Sequence, residues 1–160
     1  MKPKKFSVMM KSVIIALALF GAGFYFYFVP AFLKQVDSFK LFTHRQIFLP
    51  WLILTVLTCI PCYAVLVLAW KMAVSVEKDK QFSHKNSGRL KKIAVCALAD
   101  TGFFFLGSLV YWVLGINIPA IVVISVIILF VGIAFAAAAD VLAGMVEKAA
   151  ILQEENDLTI

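Results

Sequence analysis

Four long apolar stretches divide the chain, and most charged residues lie in the short segments between them. A helix rises about 1.5 Å per residue, so roughly 20 apolar residues cross the 30 Å hydrocarbon core of a bilayer. Every stretch is at least that long. The pattern predicts an all-α fold, an integral membrane four-helix bundle in one domain, 1–160, with spans at about 12–33, 47–70, 93–116 and 118–146.

Local features refine this prediction. Lysines precede the first stretch, as in a signal peptide, but the aromatic cluster at 24–28 is typical of a membrane interface, so we expect the segment to be retained. Pro61 lies inside the second stretch and predicts a kink there. The third and fourth stretches are separated by little more than Asn117 to Pro119, a connection that forces antiparallel neighbours.

The distribution of lysine and arginine predicts the orientation. Residues 1–11, the loop 71–92 and the tail 147–160 hold 12 of the 15 basic residues, whereas the other connections hold three. The positive-inside rule then places both termini and the loop on the cytoplasmic side of a bacterial cytoplasmic membrane. The loop itself is expected to be a solvated connector whose cations touch anionic lipid headgroups, or else a docking surface for a protein.

Composition excludes a water-soluble globular domain. Hydrophobic residues make up 63% of the chain, charged residues only 15%, and the mean hydropathy is +0.98. The net charge of +6 follows from the membrane topology, so we expect the bilayer as a partner and no direct nucleic acid binding. The three cysteines do not indicate a secreted disulfide scaffold.

Polar residues inside the third and fourth spans are the first candidates for chemistry. They are Asp100 and Thr101 in the third span and Asp140 in the fourth. Asp140 is expected at the inner headgroup level, whereas Asp100 lies a turn or two deeper. The expected partner of Asp100 is Thr101, a hydroxyl or backbone group on another helix, water, or Lys91 and Lys92 reaching up from the interface. Asp100 is either an ion or proton site in a small coupled transporter or a hydrogen-bonded clamp between helices.

Cys59 and Cys62 have the CxxC spacing of thiol oxidoreductases. An apolar mid-membrane setting suppresses the thiolate, and the second cysteine pair that such enzymes use is missing, since only Cys96 remains. His44 and His84 fall on opposite sides of the membrane, which argues against a shared metal site. We therefore expect no catalytic residues, no metal, no cofactor and no enzymatic activity.

Small residues recur at four-residue spacing in the fourth span, together with one acid. They are Gly132, Ala136, Asp140 and Gly144. Such a ridge allows helices to approach closely. It predicts either packing inside the bundle or a homodimer face.

The tail from Glu147 to Ile160 resembles the ending of a bacterial family of small four-span membrane proteins of unknown function. Members close with Glu-Glu-Asn-Asp-Leu-Thr-Ile or -Val, as this chain does, and the stretch from Asp100 to Gly107 is similar to their third helix. The resemblance implies no enzymatic activity. It also implies a possible partner, because members are often encoded beside a small Cro-type (XRE-like) helix-turn-helix regulator.

The sequence thus predicts a signalling protein or a tether for such a regulator. An acidic tail could bind the basic surface of a DNA-binding protein and compete with DNA. The alternatives are the transporter, the oxidoreductase and, for the tail, a solvated and frayed helix end. The candidate partner-binding residues are Glu154, Glu155, Asn156, Asp157 and Leu158.

Overall fold

The computed structural model describes residues 3–38, 47–78 and 82–158, and these are helical almost throughout. Four helical rods in this part of the chain are long and apolar enough to cross a membrane. The first rod consists of two consecutive α-helices with a π-helical turn between them. The all-α four-helix membrane fold predicted from the sequence is confirmed. The elements are α1 (Pro3–Gly23), a π-helical turn (Phe24–Phe28), α2 (Val29–Ser38), α3 (Phe48–Glu77), α4 (His84–Val113) and α5 (Pro119–Leu158).

The π turn lies just before Pro30. There the backbone N–H of Val29 donates to the carbonyl of Phe24, five residues back instead of four. Proline lacks an N–H and crowds the carbonyl four residues earlier, and a widened turn relieves that crowding. The first rod therefore continues from α1 into α2 without a break.

Helices α3 and α4 extend well beyond the predicted spans. Helix α3 runs through Pro61 as one continuous helix to Glu77, and α4 begins at His84. The described part of the loop predicted at 71–92 is therefore mostly helix, in α3 up to Glu77 and in α4 from His84. Ser83 caps α4, because its side chain accepts a hydrogen bond from a backbone N–H of the first turn.

A tight hairpin joins α4 to α5. Gly115 has a φ of +71°, and the two hydrogen bonds of a Schellman motif run from the N–H groups of Gly115 and Ile116 to the last turn of α4. Asn117 then donates from Nδ2 to the carbonyl and hydroxyl oxygens of Ser108, both at 2.9 Å. The connection returns α5 antiparallel along α4, as its length predicted.

Small side chains make up much of the interior, and many large apolar side chains point outward. Leu19 and Phe20 are 70% and 73% exposed, for example. This is the reverse of a soluble domain and is typical of helices that pack in lipid, where close approach and hydrogen bonds replace hydrophobic burial. The most deeply buried residues include Ser7, Ala73, Asn86, Ser87, Ser108, Ser125, Ala136 and Ala143.

Contacts between helix ends show which ends of the rods lie side by side. Ser7 of α1 donates its hydroxyl hydrogen to the carbonyl of Ala73 in α3 at 2.8 Å, and Lys11 forms an ion pair with Glu77. The start of α1 therefore lies beside the end of α3. We call this end of the bundle, formed by the start of α1, the α3–α4 turn and the last turns of α5, the charged end.

Candidate functional site

A cavity of about 630 Å³ lies between the rods, with walls from the π turn, α2, α3, α4 and α5. Among the described helices α5 packs against α4 alone, so a gap separates α2 from α5. Lining residues on both sides of this gap are exposed, Phe28 and Phe32 on one and Ile124 on the other. The cavity therefore opens sideways, toward the lipid of a membrane.

Aromatic rings form one wall of this cavity. Phe24 and Phe28 stack with ring centroids 5.5 Å apart, and Phe28 and Phe32 stack at 6.2 Å. Aromatic faces attract apolar groups and organic cations. Three further aromatic residues line the cavity, Tyr25, Trp51 and Phe104.

Among the residues that the structure describes, Asp100 is the only charged one that lines the cavity. Its atom Oδ1 is buried and has no hydrogen-bond partner in the described part of the chain. Asp100 lies 16 residues after His84 and 13 before Val113, the two ends of α4, and so stands near the middle of the helix. The predicted span places Asp100 seven residues past Ile93, and an ionised carboxylate inside a span is costly, about 2.5–3.5 kcal/mol at the bilayer centre on insertion scales. The cavity thus contains an acceptor that nothing in its lining compensates.

Thr101, the residue expected to hold Asp100, binds elsewhere. Its hydroxyl donates to the carbonyl of Ala97 at 2.9 Å, within its own helix. Its side chain packs on Gly132 of α5, where a Cβ would meet Oγ1 of Thr101 at only 2.6 Å. Thr101 therefore joins α4 to α5 and leaves the Asp100 carboxylate unsatisfied.

Neutral polar groups of α3 and the π turn surround Asp100. The hydroxyl oxygens of Thr58 and Tyr25 are 3.5 Å apart. Cys59 and Cys62 are partly buried free thiols within electrostatic range of Asp100. The CxxC pair thus belongs to the polar surroundings of the carboxylate, and its geometry adds no support to a separate redox site.

The end of the bundle opposite the charged end is locked by aromatic hydrogen bonds. Trp51 donates from Nε1 to the carbonyl of Ile116 at 3.0 Å, and Tyr111 donates its hydroxyl hydrogen to the carbonyl of Pro50 at 2.9 Å. The two rings meet edge to face with centroids 5.3 Å apart. Because Trp51 also lines the cavity, these contacts fix one boundary of it.

At the charged end, Arg89 ties α4 to α3. Its Nη1 atom lies 2.9 Å from the carbonyl of Lys71, 2.8 Å from Oγ of Ser75 and 2.8 Å from Oδ1 of Asn86. The sequence predicted contacts with anionic lipid headgroups, or else a protein docking surface, for this basic segment. Arg89 instead satisfies acceptors at the end of α3, so it serves helix packing.

His84, the first residue of α4, lies between two carboxylates of α5. Its Nδ1 is 2.6 Å from Oε1 of Glu147, and its Nε2 is 3.3 Å from Oε1 of Glu154. A histidine side chain can donate hydrogen bonds from both ring nitrogens at once only when it is protonated. The hydrogen bonds with Glu147 and then Glu154 accordingly raise the pKa of His84 above its ordinary value of 6.5, and the same contact lowers the pKa of Glu147. We call these three residues the His84 clamp.

Beyond the clamp, α5 carries the candidate partner-binding residues. The helix continues to Leu158. Glu154, Glu155 and Asn156 are exposed, and Glu154 also takes part in the clamp. The side chains of Asp157 and Leu158 lie outside the described residues.

Two apolar residues precede these acids on α5. Ile151 and Leu152 are 44% and 60% exposed, whereas Ala150 is buried. Both follow the clamp residue Glu147 and lie past the end of the span predicted at 118–146. The last turns of α5 thus present apolar and acidic side chains together.

The small-residue face predicted on α5 does not exist as one exposed surface. Gly132 and Ala136 are buried, with Gly132 against Thr101 of α4, whereas Asp140 and Gly144 are exposed. The residues that pack against α4 follow a spacing of four and three, which keeps one side of a helix facing its neighbour. The homodimer face is corrected accordingly, because α4 already covers half of it. The buried ridge is Gly132, Ala136, Ala139 and Ala143.

The sequence reasoning missed the contacts that hold the charged end together. Ser87 donates its hydroxyl hydrogen to the carbonyl of Ala143 at 3.0 Å, which joins α4 to α5 beside the His84 clamp. His84 was weighed only as a metal ligand, and the described residues contain no cluster of His, Cys, Asp or Glu arranged to hold a metal ion. Its partners are 63 and 70 positions away, so no local pattern could reveal them.

Comparison with known proteins identifies the family of this chain. A family described as a protein of unknown function, DUF2975, matches residues 42–160, which is most of the chain. The chain belongs to the DUF2975 family. The DUF2975 match includes all of α3, α4 and α5, and therefore Asp100 and the His84 clamp.

One relative is a membrane protein. The chain is 33% identical over 105 residues to the uncharacterized membrane protein YoaS of Bacillus subtilis (strain 168). The alignment covers 64% of this chain and 66% of YoaS, just under two thirds of that relative. No solved structure matches the chain. The DUF2975 assignment and this relative agree with a multi-pass membrane protein, and neither names an activity.

Proposed function

We propose that the chain is a non-enzymatic protein of a bacterial cytoplasmic membrane that tethers a small DNA-binding regulator. The observation that carries the proposal is the extension of α5. The helix continues for 12 residues past the predicted span, from Glu147 to Leu158, and exposes Ile151 and Leu152 beside the acidic residues that follow.

The chemistry of this extension favours a basic helix-turn-helix partner. Exposed apolar residues supply the contact area, and the carboxylates of Glu154 and Glu155 complement a surface rich in lysine and arginine. DNA binds the same basic surface through its phosphates. A regulator held by the extension is therefore kept from DNA by direct competition.

The His84 clamp gives the extension a fixed direction. It joins the extension to α4 at two points, Glu147 and Glu154, which are seven residues apart and hence about two turns of helix. A helix held in this way presents its exposed side in one orientation. Such pre-organisation lowers the entropy that binding would otherwise cost.

The test first asks whether a small helix-turn-helix protein is encoded beside the gene, and then expresses that protein, fused to a fluorescent protein, with the full-length chain. We expect it to localise to the membrane with the intact protein and to leave the membrane when 153–160 is deleted. The double change Glu154→Lys/Glu155→Lys should weaken binding, and the binding that remains should respond less to salt, because charge attraction is lost. Insertion and abundance should stay near normal, since the four rods satisfy their own backbone hydrogen bonds.

Lys148→Ala is the matched control. Lys148 is exposed on the same extension, and removing its positive charge should leave binding of a basic partner unchanged or stronger. The proposal fails if no such protein is encoded nearby or if the regulator stays at the membrane with the truncated chain. Disappearance of the truncated chain from the membrane would instead identify the tail as a structural cap that depends on His84.

A further inference from the structure

We propose that the cavity around Asp100 binds a lipophilic organic cation that enters from the bilayer. Three independent features of the cavity converge on this ligand class: an unpaired carboxylate oxygen, an aromatic wall and a sideways opening. Binding at this cavity goes beyond tethering and does not depend on any role for the tail.

The carboxylate selects the charge of the ligand. Oδ1 of Asp100 is buried without a hydrogen-bond partner among the described residues, and none of the described lysines, arginines or histidines lines the cavity. A buried charge is normally paired. In this cavity a cationic ligand supplies the missing partner.

The walls select the body of the ligand. Apart from Asp100 and a few hydroxyl groups, the cavity is lined by aliphatic and aromatic side chains, with the stack of Phe24, Phe28 and Phe32 on one side. Such rings hold an organic cation through its charge and its apolar surface together. The volume of about 630 Å³ is that of a site for a drug-sized molecule.

The depth of Asp100 decides between two sources of such a cation. Asp100 is seven positions past the start of the predicted span at Ile93, which is roughly 10 Å below the nearer membrane surface along the helix. The amine of a lipid headgroup stays at the membrane surface and does not reach this depth. The ligand is therefore a diffusible cation that dissolves in the hydrocarbon, passes between α2 and α5, and meets Asp100.

The experiment measures binding of labelled tetraphenylphosphonium to the full chain in phosphatidylcholine nanodiscs, with empty nanodiscs as background. Tetraphenylborate has the same shape and the opposite charge, so it tests charge selection directly. We expect saturable binding of the cation and none of the anion. Asp100→Asn should weaken cation binding at least about tenfold, because an ion pair in an apolar cavity is lost. Asp140→Asn, which removes an exposed carboxylate on α5, should change nothing.

A second pair of variants tests whether binding needs the volume of the cavity, rather than the charge of Asp100. Ala120 lines the cavity, and Ala120→Trp should occupy part of it and weaken binding. Ala137→Trp adds the same indole on α5 outside the cavity and should leave binding intact. The proposal is overturned if the wild-type chain shows no saturable cation binding, if the anion binds equally, or if Asp100→Asn binds with unchanged affinity. Should Asp100→Asn fail to fold, unchanged binding by Ala120→Trp overturns it alone.

Discussion

Gly132 is the residue on which the α4–α5 contact depends most directly. It lies on the buried ridge of α5, and Thr101 of α4 occupies the space that a Cβ would need. Thr101 is fixed from its own side by its hydrogen bond to the carbonyl of Ala97. Because the same threonine lines the cavity, the spacing of the two helices at this point also sets the position of Asp100 beside it.

Gly132→Ala should destabilise the protein by about 1–3 kcal/mol, because the added methyl group forces Thr101 or the whole helix to move. Gly144→Ala is the matched control, since a Cβ there meets no atom within 4 Å. It should be neutral or stabilising by up to about 1 kcal/mol, the usual gain of alanine over glycine in a helix. The measurement is thermal unfolding in detergent, followed by circular dichroism.

The double variant Gly132→Ala/Thr101→Ala tests the mechanism of that loss. It should recover much of the stability of the chain, because the shorter side chain at 101 makes room for the new methyl group. Equal unfolding midpoints for Gly132→Ala and Gly144→Ala would contradict the close contact.

At the scale of elements, α5 is the helix whose length exceeds what a membrane needs. Its 40 residues extend about 60 Å, twice the hydrocarbon thickness. The excess lies at the charged end, where His84 and the hydroxyl of Ser87 attach α5 to α4. Protonation of one histidine therefore affects how firmly the extension is held.

The His84 clamp should be strongest between about pH 4.5 and 6.5. The raised pKa of His84 gives stability that is full below its ordinary 6.5 and is lost as pH rises through the higher folded value. The lowered pKa of Glu147 gives stability that is full above its ordinary 4.5 and is lost as pH falls through the lower folded value. Lys91 also favours the charged form of Glu147.

Hydrogen exchange of residues 147–156, corrected for intrinsic rates, measures this dependence. Protection should decline on both sides of the window in the wild-type chain and lose its pH dependence in His84→Ala. His84→Arg keeps the positive charge at alkaline pH, so its protection should persist where that of the wild-type chain declines. Identical profiles for the wild-type chain and His84→Ala would rule out the clamp as a pH-sensitive contact.

At the scale of the whole molecule, the sequence predicted the helices far better than it predicted the site. Hydropathy over 20 or more residues identifies a span regardless of its neighbours, which is why four rods were expected and found. Asp100 also stood out, since a carboxylate in an apolar run is unusual. The cavity around it depends on α2 and α5 staying apart, and only the packing of all the rods determines that gap.

The small-residue ridge of α5 shows, over a few turns of helix, the same limit of prediction from sequence. A four-residue spacing correctly marked Gly132 and Ala136 as contact residues, but it continued to Asp140 and Gly144, which face outward. The real ridge alternates steps of four and three because α4 stays beside α5 over several turns. Choosing between these two patterns requires the position of the partner helix, which a single sequence does not contain.

The charged end gives the last prediction, which concerns how the molecule sits in a membrane. Three segments hold 12 of the 15 lysine and arginine residues: 1–11, 71–92 and 147–160. Their described parts lie at this end, because Ser7 contacts Ala73 and His84 contacts Glu147. The positive-inside rule then predicts that the charged end faces the cytoplasm.

Alkaline phosphatase fusions after Lys40, Gln81 and Ile160 test this orientation, because the enzyme needs disulfides that form only outside the cytoplasm. The fusion after Lys40 should be active and the other two inactive, with green fluorescent protein fusions giving the opposite pattern as the control. Phosphatase activity after Gln81 or Ile160 would place the α5 extension outside the cell. A cytoplasmic DNA-binding regulator could not reach it there, so the same measurement also decides whether the tethering proposal is physically possible.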